Sequence, residues 1–313
     1  MRRRITVSAI SAAAAVTLGV AGVATAAVAG GNPGGGTGKH GAQDGGRGDG
    51  HDDGKFHGLA VVGLTSDQAL GRFDAEKPGR GHVIDKITCL EGDTKIVGID
   101  YRVQNGLLYG VGDKGGIYTL DTGTAVATKV SQLTIALQGG FFGVDFNPAA
   151  NRLRVISDTG QNLRHNIDDP NGAPAAGSTV ADGTLTLPPV PPAPGATALG
   201  VTGAAYTNND LEAATATTLF DIDTALDQVS LQSPANAGNL APTGKLGVDV
   251  GPDAGFDIYY SPRHGTNTGY AALNSGGTHG FYKVDVLTGK AAKIGDFPQD
   301  HQVVDVALPL DQG

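Results

Sequence analysis

Ile96-Val97-Gly98-Ile99-Asp100-Tyr101 is the stretch from which the fold can be read, because the chain repeats it. It returns as Phe141-Phe142-Gly143-Val144-Asp145-Phe146, Val201-Thr202-Gly203-Ala204-Ala205-Tyr206, Gly255-Phe256-Asp257-Ile258-Tyr259-Tyr260 and Val303-Val304-Asp305-Val306-Ala307-Leu308. Each is short, rich in β-branched and aromatic residues, and built around Gly or Asp, the composition of a strand. A second landmark, an apolar strand closed by Asp, accompanies each: Ala69–Asp74, Ile117–Asp121, Leu163–Asp168, Leu219–Asp223 and Phe281–Asp285. Asp suits such ends because its side-chain oxygen caps the turn that follows. Short strands recurring about every 50 residues mark a β-propeller, one four-stranded blade per repeat.

The two ends of the repeat region fix the blade count. Leu59-Ala60-Val61-Val62-Gly63-Leu64 resembles the second strand Leu108-Tyr109-Gly110-Val111-Gly112, whereas Val303–Leu308 is an opening strand with no successor. The expected fold is therefore an all-β, five-bladed β-propeller over residues 58–310, with residues 311–313 as a tail. The C-terminal strand should complete the blade begun at the N-terminal end, which removes an exposed sheet edge. Leu187-Pro188-Pro189-Val190-Pro191-Pro192-Ala193-Pro194 should be an extended surface loop, since proline cannot donate to a ladder. Ser261–Asn267 should form a second, polar loop.

Composition agrees with this architecture. Fifty glycines, one methionine and no tryptophan in 313 residues do not describe a helical protein, because glycine costs about 1 kcal/mol at a helix-interior position. Ahead of the repeats, Arg2-Arg3-Arg4, the apolar run 5–23 and Ala24-Thr25-Ala26 form the pattern of a secretory signal peptide over residues 1–26. The sequence thus predicts a secreted, extracellular bacterial protein with no membrane insertion after cleavage. Residues 27–57 are dominated by Gly, Asp and His and carry almost nothing to bury, so a disordered linker is expected. Its Arg47-Gly48-Asp49 tripeptide and scattered histidines follow from that biased composition. The formal charge of −9, without any Lys/Arg cluster after residue 4, argues against nucleic acid as a partner.

Several motifs resemble sites and fail on context. Gly110–Gly115 fits G-x-G-x-x-G, but a strand rather than a helix follows it, so no N–H cluster meets a phosphate. Asp121-Thr122-Gly123 and Asp158-Thr159-Gly160 spell the aspartic-protease triplet, yet Asp121 is a turn residue of the repeat. No G-x-S-x-G, H-E-x-x-H or C-x-x-C is present. Cys89 is the sole cysteine, expected as a packing residue within Ile87-Thr88-Cys89-Leu90.

What remains is positional. Period-2 alternation places Asp100, Asp145, Asp257 and Asp305 on the channel side of the opening strands, with Gly98, Gly143 and Gly203. Val97, Phe142, Phe256 and Val304 should then pack between sheets. Asp100 and Asp145 share one register and Asp257 and Asp305 another, which predicts two acidic layers. Such layers hold Ca²⁺ with water and carbonyls, or they hold the acids against backbone amides, as buried carboxylates require. No other cofactor is predicted. Arg152, Arg154, His165, Arg263 and His264 are expected as solvated surface groups.

The stretches 143–148 (Gly143-Val144-Asp145-Phe146-Asn147-Pro148) and Arg152-Leu153-Arg154-Val155-Ile156-Ser157-Asp158-Thr159-Gly160-Gln161-Asn162-Leu163-Arg164 resemble the exported bacterial domain-of-unknown-function family DUF4394. So do Ala205-Tyr206-Thr207-Asn208 and Thr217-Thr218-Leu219-Phe220-Asp221-Ile222-Asp223-Thr224. The resemblance spans roughly Leu59 to Leu308 and implies a propeller-like fold and export, but no activity or site residues. With no nucleophile or acid–base pair in view, the sequence leans away from an enzyme. It points to an extracellular binding or scaffold module for a polymer, small molecule or protein. The alternative is a cation-dependent hydrolase or lyase with its site at the channel mouth.

Overall fold

The computed structural model describes residues 58–212 and 214–312; the signal peptide and linker expected over residues 1–57 lie outside them. Hydrophobic β-branched runs broken by glycine turns form twenty strands among the described residues. These are β1 (Ala60–Thr65), β2 (Ala69–Asp74), β3 (Lys77–Lys86), β4 (Ile96–Arg102), β5 (Leu107–Gly112), β6 (Gly116–Leu120) and β7 (Ala127–Gln132). Then come β8 (Phe142–Asn147), β9 (Arg152–Ser157), β10 (Asn162–Asn166), β11 (Ser178–Ala181), β12 (Val201–Tyr206), β13 (Leu219–Asp223) and β14 (Gln228–Gln232). The series ends with β15 (Leu240–Lys245), β16 (Ala254–Ser261), β17 (Thr266–Ser275), β18 (Thr278–Val284), β19 (Ala291–Asp296) and β20 (Val303–Ala307).

They assemble as five antiparallel four-stranded sheets, and each sheet is one blade of a five-bladed propeller. Blade I has the order β20-β1-β2-β3, blade II β4-β5-β6-β7, blade III β8 to β11, blade IV β12 to β15 and blade V β16 to β19. The ring closes as expected: Val62 pairs with Ala307, Gly63 with Val306 and Leu64 with Asp305. A slip at Leu64/Thr65 follows, so that Thr65 meets Val303.

A blade is apolar on both faces and must bury each against a neighbour. Five apolar clusters result among the described residues, one in each seam. Phe256, Phe220 and Ile222 fill the seam between blades IV and V. Phe73, Phe281 and Phe297 fill the one between V and I, where their rings meet edge to face at 5.0 and 5.2 Å. Each ring of this size contributes about 2–3 kcal/mol when fully buried.

One local expectation changes, the burial of Cys89, and two others are refined. Leu219–Asp223 is the second strand of its blade, whereas β2, β6, β10 and β18 are third strands. An Asp-capped turn closes any hairpin, so the landmark does not identify strand position; Asp223 Oδ1 accepts the Ala225 and Leu226 N–H groups at 3.0 Å. Ser261–Asn267 is a tight hairpin turn with Ser261 paired to Thr266. Cys89 is exposed because its backbone is left-handed, with φ 64. That turn sends the thiol outward while Ile87 and Leu90 pack on the core between blades I and II. The proline-rich segment does run outside the strands, with Val190 74% exposed.

Candidate functional site: the acidic channel

The innermost strand of each blade is a sheet edge, and its outward N–H groups need acceptors. The channel aspartates supply them across the seams. Asp305 Oδ2 accepts Ile99 N–H from blade II at 2.8 Å, and Oδ1 accepts Val306 N–H at 2.9 Å. Asp100 bridges its own Tyr101 N–H and Phe146 N–H of blade III, both at 2.7 Å. Asp257 joins Ile258 N–H at 2.5 Å to Leu308 N–H, just past β20, at 2.6 Å. The acids therefore latch blades V to I, I to II and II to III.

Asp145 is different. It holds the corresponding place at the seam from blade III to blade IV, is 1% exposed, and neither carboxylate oxygen has a partner in normal geometry. The Tyr206 N–H turns toward it without closing a regular bond. Blade IV carries Ala205 where Asp145 stands in blade III, so no acid latches that blade to the next.

The grouping differs from the two paired layers expected. Asp100, Asp145 and Asp257 offer carboxylate oxygens within 4.8 Å of one another, and Asp305 stands apart, one layer nearer the mouth. Asp257 joins the triad because β16 begins at Ala254 and runs for eight residues, which places its acid lower than local alignment suggests. Asp305 occupies the glycine layer: a Cβ on Gly98 would come 3.4 Å from its Oδ2, and one on Gly255 2.4 Å from its Oδ1. The missing side chains make room for this carboxylate.

Burial dominates the electrostatics. It pushes the Asp100 and Asp145 carboxyls well above the usual carboxylate range, with the neighbouring acids adding to the rise. Burial also raises Asp257 to about 6 against the pull of its two N–H donors, and Asp305 well above its ordinary value. Such a cluster either retains protons or takes a cation.

Above the triad, at the N-terminal ends of the inner strands, a cavity of about 190 Å³ opens. Lys95, Phe141, Phe142, Thr202, Asp253 and Asp305 are among its walls. Val97, Phe142 and Val304 pack against the seam cores as expected while also bordering the cavity, and Phe256 packs wholly between sheets. Asp253 accepts from His279 Nε2 at 2.8 Å at the cavity's edge.

Two motif readings hold up locally. Gly110–Gly115 is the hairpin between β5 and β6, and Asp121 caps its turn through Gly123 and Thr124. The residues misjudged from sequence are Arg152, Arg154 and His165, expected in solvent and found buried at 5%, 2% and 0% exposure. Their counter-groups, Asp169, Asp182, Ser131 and Thr179, lie 14 or more residues away, so local sequence gives no sign of them. Arg263 and His264 are exposed as expected.

Comparisons with known proteins give one family match and distant structural likenesses. The family model described as "Domain of unknown function (DUF4394)" matches residues 69–307. No curated protein matches. Similar solved structures include a Lactobacillus plantarum protein, 18% identical over 77% of this chain and 68% of that one, TM-score 0.38. A nidogen/laminin complex matches at 8% identity over 82% and 99%, TM-score 0.45. A protein of unknown function from Bacteroides thetaiotaomicron matches at 12% over 85% and 68%, TM-score 0.43.

Proposed function

The chain belongs to the domain-of-unknown-function family DUF4394, and from there we propose that it is an exported, non-catalytic binding module whose channel holds a divalent cation of the Ca²⁺ type. The signal-peptide pattern of residues 1–26 supports export. The observation that carries the cation is Asp145: a buried carboxylate whose oxygens make no regular hydrogen bond, within 4.8 Å of two more. Ca²⁺ takes six to eight oxygens at about 2.3–2.6 Å, so two ligands of one ion stand up to about 5 Å apart. The triad matches that spacing. The backbone bonds of Asp100 and Asp257 leave further lone pairs for an ion.

Depth favours a structural ion over a catalytic one. A catalytic metal keeps an open position for water or substrate, and none of Asp100, Asp145 or Asp257 is among the walls of the mouth cavity. An ion there would tie blades II, III and V together and leave the mouth to bind a small ligand between Lys95, Asp253 and the Phe141–Phe142 edge. That arrangement supports a binding module over the alternative of a cation-dependent hydrolase or lyase.

Metal analysis and melting curves test this. Full-length protein purified without chelator retains about one divalent ion, and millimolar Ca²⁺ raises the Tm of chelator-treated protein; occupancy at a hundredfold excess over Kd adds about 2.7 kcal/mol. Asp145→Asn keeps the shape, loses the response and melts no lower than the metal-free parent. No retained ion and no shift with Ca²⁺, Mg²⁺ or Mn²⁺ would overturn the cation.

A further inference from the structure

At the opposite end of the inner strands, blades III and IV enclose a pocket of about 120 Å³ walled by Arg152, Arg154, Arg164, Asn147, Tyr206 and Asn236. Arg152 and Arg154 alternate onto one face of β9, and Arg164 of β10 pairs directly opposite Arg154. Like charges in that position repel, so the arrangement needs compensation. Asp182 supplies part of it, accepting Arg154 Nη1 at 2.7 Å and Arg164 Nε at 3.0 Å on one oxygen, and Arg164 Nη2 at 3.1 Å on the other. Asp169 accepts Arg152 Nη1 and Nη2 at 3.1 and 3.2 Å.

Three guanidinium groups thus share two carboxylates. Asp221 feels the Arg154 charge from β13, but burial outweighs that pull and holds its carboxyl well above the usual carboxylate range. The remaining bonds orient the heads. Arg154 Nε donates to the Tyr206 hydroxyl at 3.2 Å and Nη2 to Asn236 Oδ1 at 2.7 Å. Ala173 O receives Arg152 Nε and Arg164 Nη1, both at 3.2 Å. Arg154 Nη2, Arg152 Nη2 and both Arg164 Nη atoms each make one hydrogen bond, which leaves each an N–H to spare. More guanidinium groups than carboxylates bonded to them, locked rotamers and unspent donors around a cavity are the requirements of an oxyanion receptor.

We propose that the pocket between blades III and IV binds a small oxyanion, carboxylate or phosphate, on Arg152, Arg154 and Arg164. The pocket lies at the other end of the inner strands from the mouth cavity and takes a ligand of opposite charge to the channel ion, although Arg154 pairs opposite Asp145 in the β8–β9 register.

The test titrates full-length, metal-free protein with inorganic phosphate, acetate and chloride at constant ionic strength, reading Tm and heat of binding. Arg164→Gln serves as the variant, because its side chain is 23% exposed and Arg154 continues to neutralise Asp182. Asp145→Asn serves as the control. The expected result is a saturable rise in Tm with phosphate or acetate but not chloride, weakened at least tenfold in Arg164→Gln and intact in Asp145→Asn. Phosphate acting alone identifies a phosphate-type ligand, and acetate acting equally identifies a carboxylate. Should Arg164→Gln melt far below the parent, the titration of the parent still decides. No saturable response to either oxyanion, or an equal response in a folded Arg164→Gln, overturns the site.

Discussion

His165 shows how a single buried side chain sets a pH limit. Its ring lies between Ser131 Oγ and Thr179 Oγ1, each at 2.9 Å, and burial lowers its pKa to about 4. The unfolded chain takes up a proton near pH 6.5, which the folded chain refuses until about pH 4. Stability is therefore fully present above pH 6.5 and is lost as pH falls through that window. Melting curves should show Tm dropping between these values, with His165→Gln removing part of the slope; a parent and variant with superimposable pH profiles would contradict the assignment. The same residue illustrates what sequence could not show. A histidine in Leu163-Arg164-His165-Asn166 looks like a surface group, and so do Arg152 and Arg154. Their burial depends on Asp169, Asp182 and Thr179, contributed by the following loop and strand β11.

At the level of the strand, glycine decides how tightly the inner ring closes. A Cβ on Gly143 would stand 2.7 Å from the Ala204 nitrogen and 2.9 Å from the Gly203 carbonyl carbon, both backbone. Backbone cannot rotate aside, so Gly143→Ala should cost about 1–3 kcal/mol by overpacking. Gly71, in β2, meets only His82 O at 3.4 Å, and Gly71→Ala should stay within about 0.5 kcal/mol. Urea unfolding of the two variants separates the cases, and equal stability would show that blades III and IV do not approach so closely. Strand identity was legible in the sequence through periodicity and turn chemistry. Strand order within blade IV was not, since Asp223 caps its turn as Asp121 and Asp285 cap theirs. The depth of Asp257 depended on where β16 begins, which alternation alone leaves open.

The molecule as a whole depends on closure. β20 brings Val303, Val306 and Ala307 to the cores on either side of blade I, and it carries Asp305, the latch to blade II. Removing residues 303–313 should expose the β1 edge and empty part of two cores, giving early melting and self-association by size-exclusion chromatography. A truncated chain that stays monomeric and melts with the parent would show that the ring does not need its last strand. Blade number and closure could be read from the repeat because each unit solves the same packing problem. The channel's chemistry could be read only in part, because which acids converge depends on how five inner strands slide past one another.

The most direct measurement is a crystal structure of protein grown with Mn²⁺ as a Ca²⁺ surrogate, with anomalous difference density inspected along the channel. The account predicts a single strong peak within bonding distance of Asp100, Asp145 and Asp257, below the mouth cavity. A channel without anomalous signal, with those three carboxyls bonded to one another through retained protons, would contradict it.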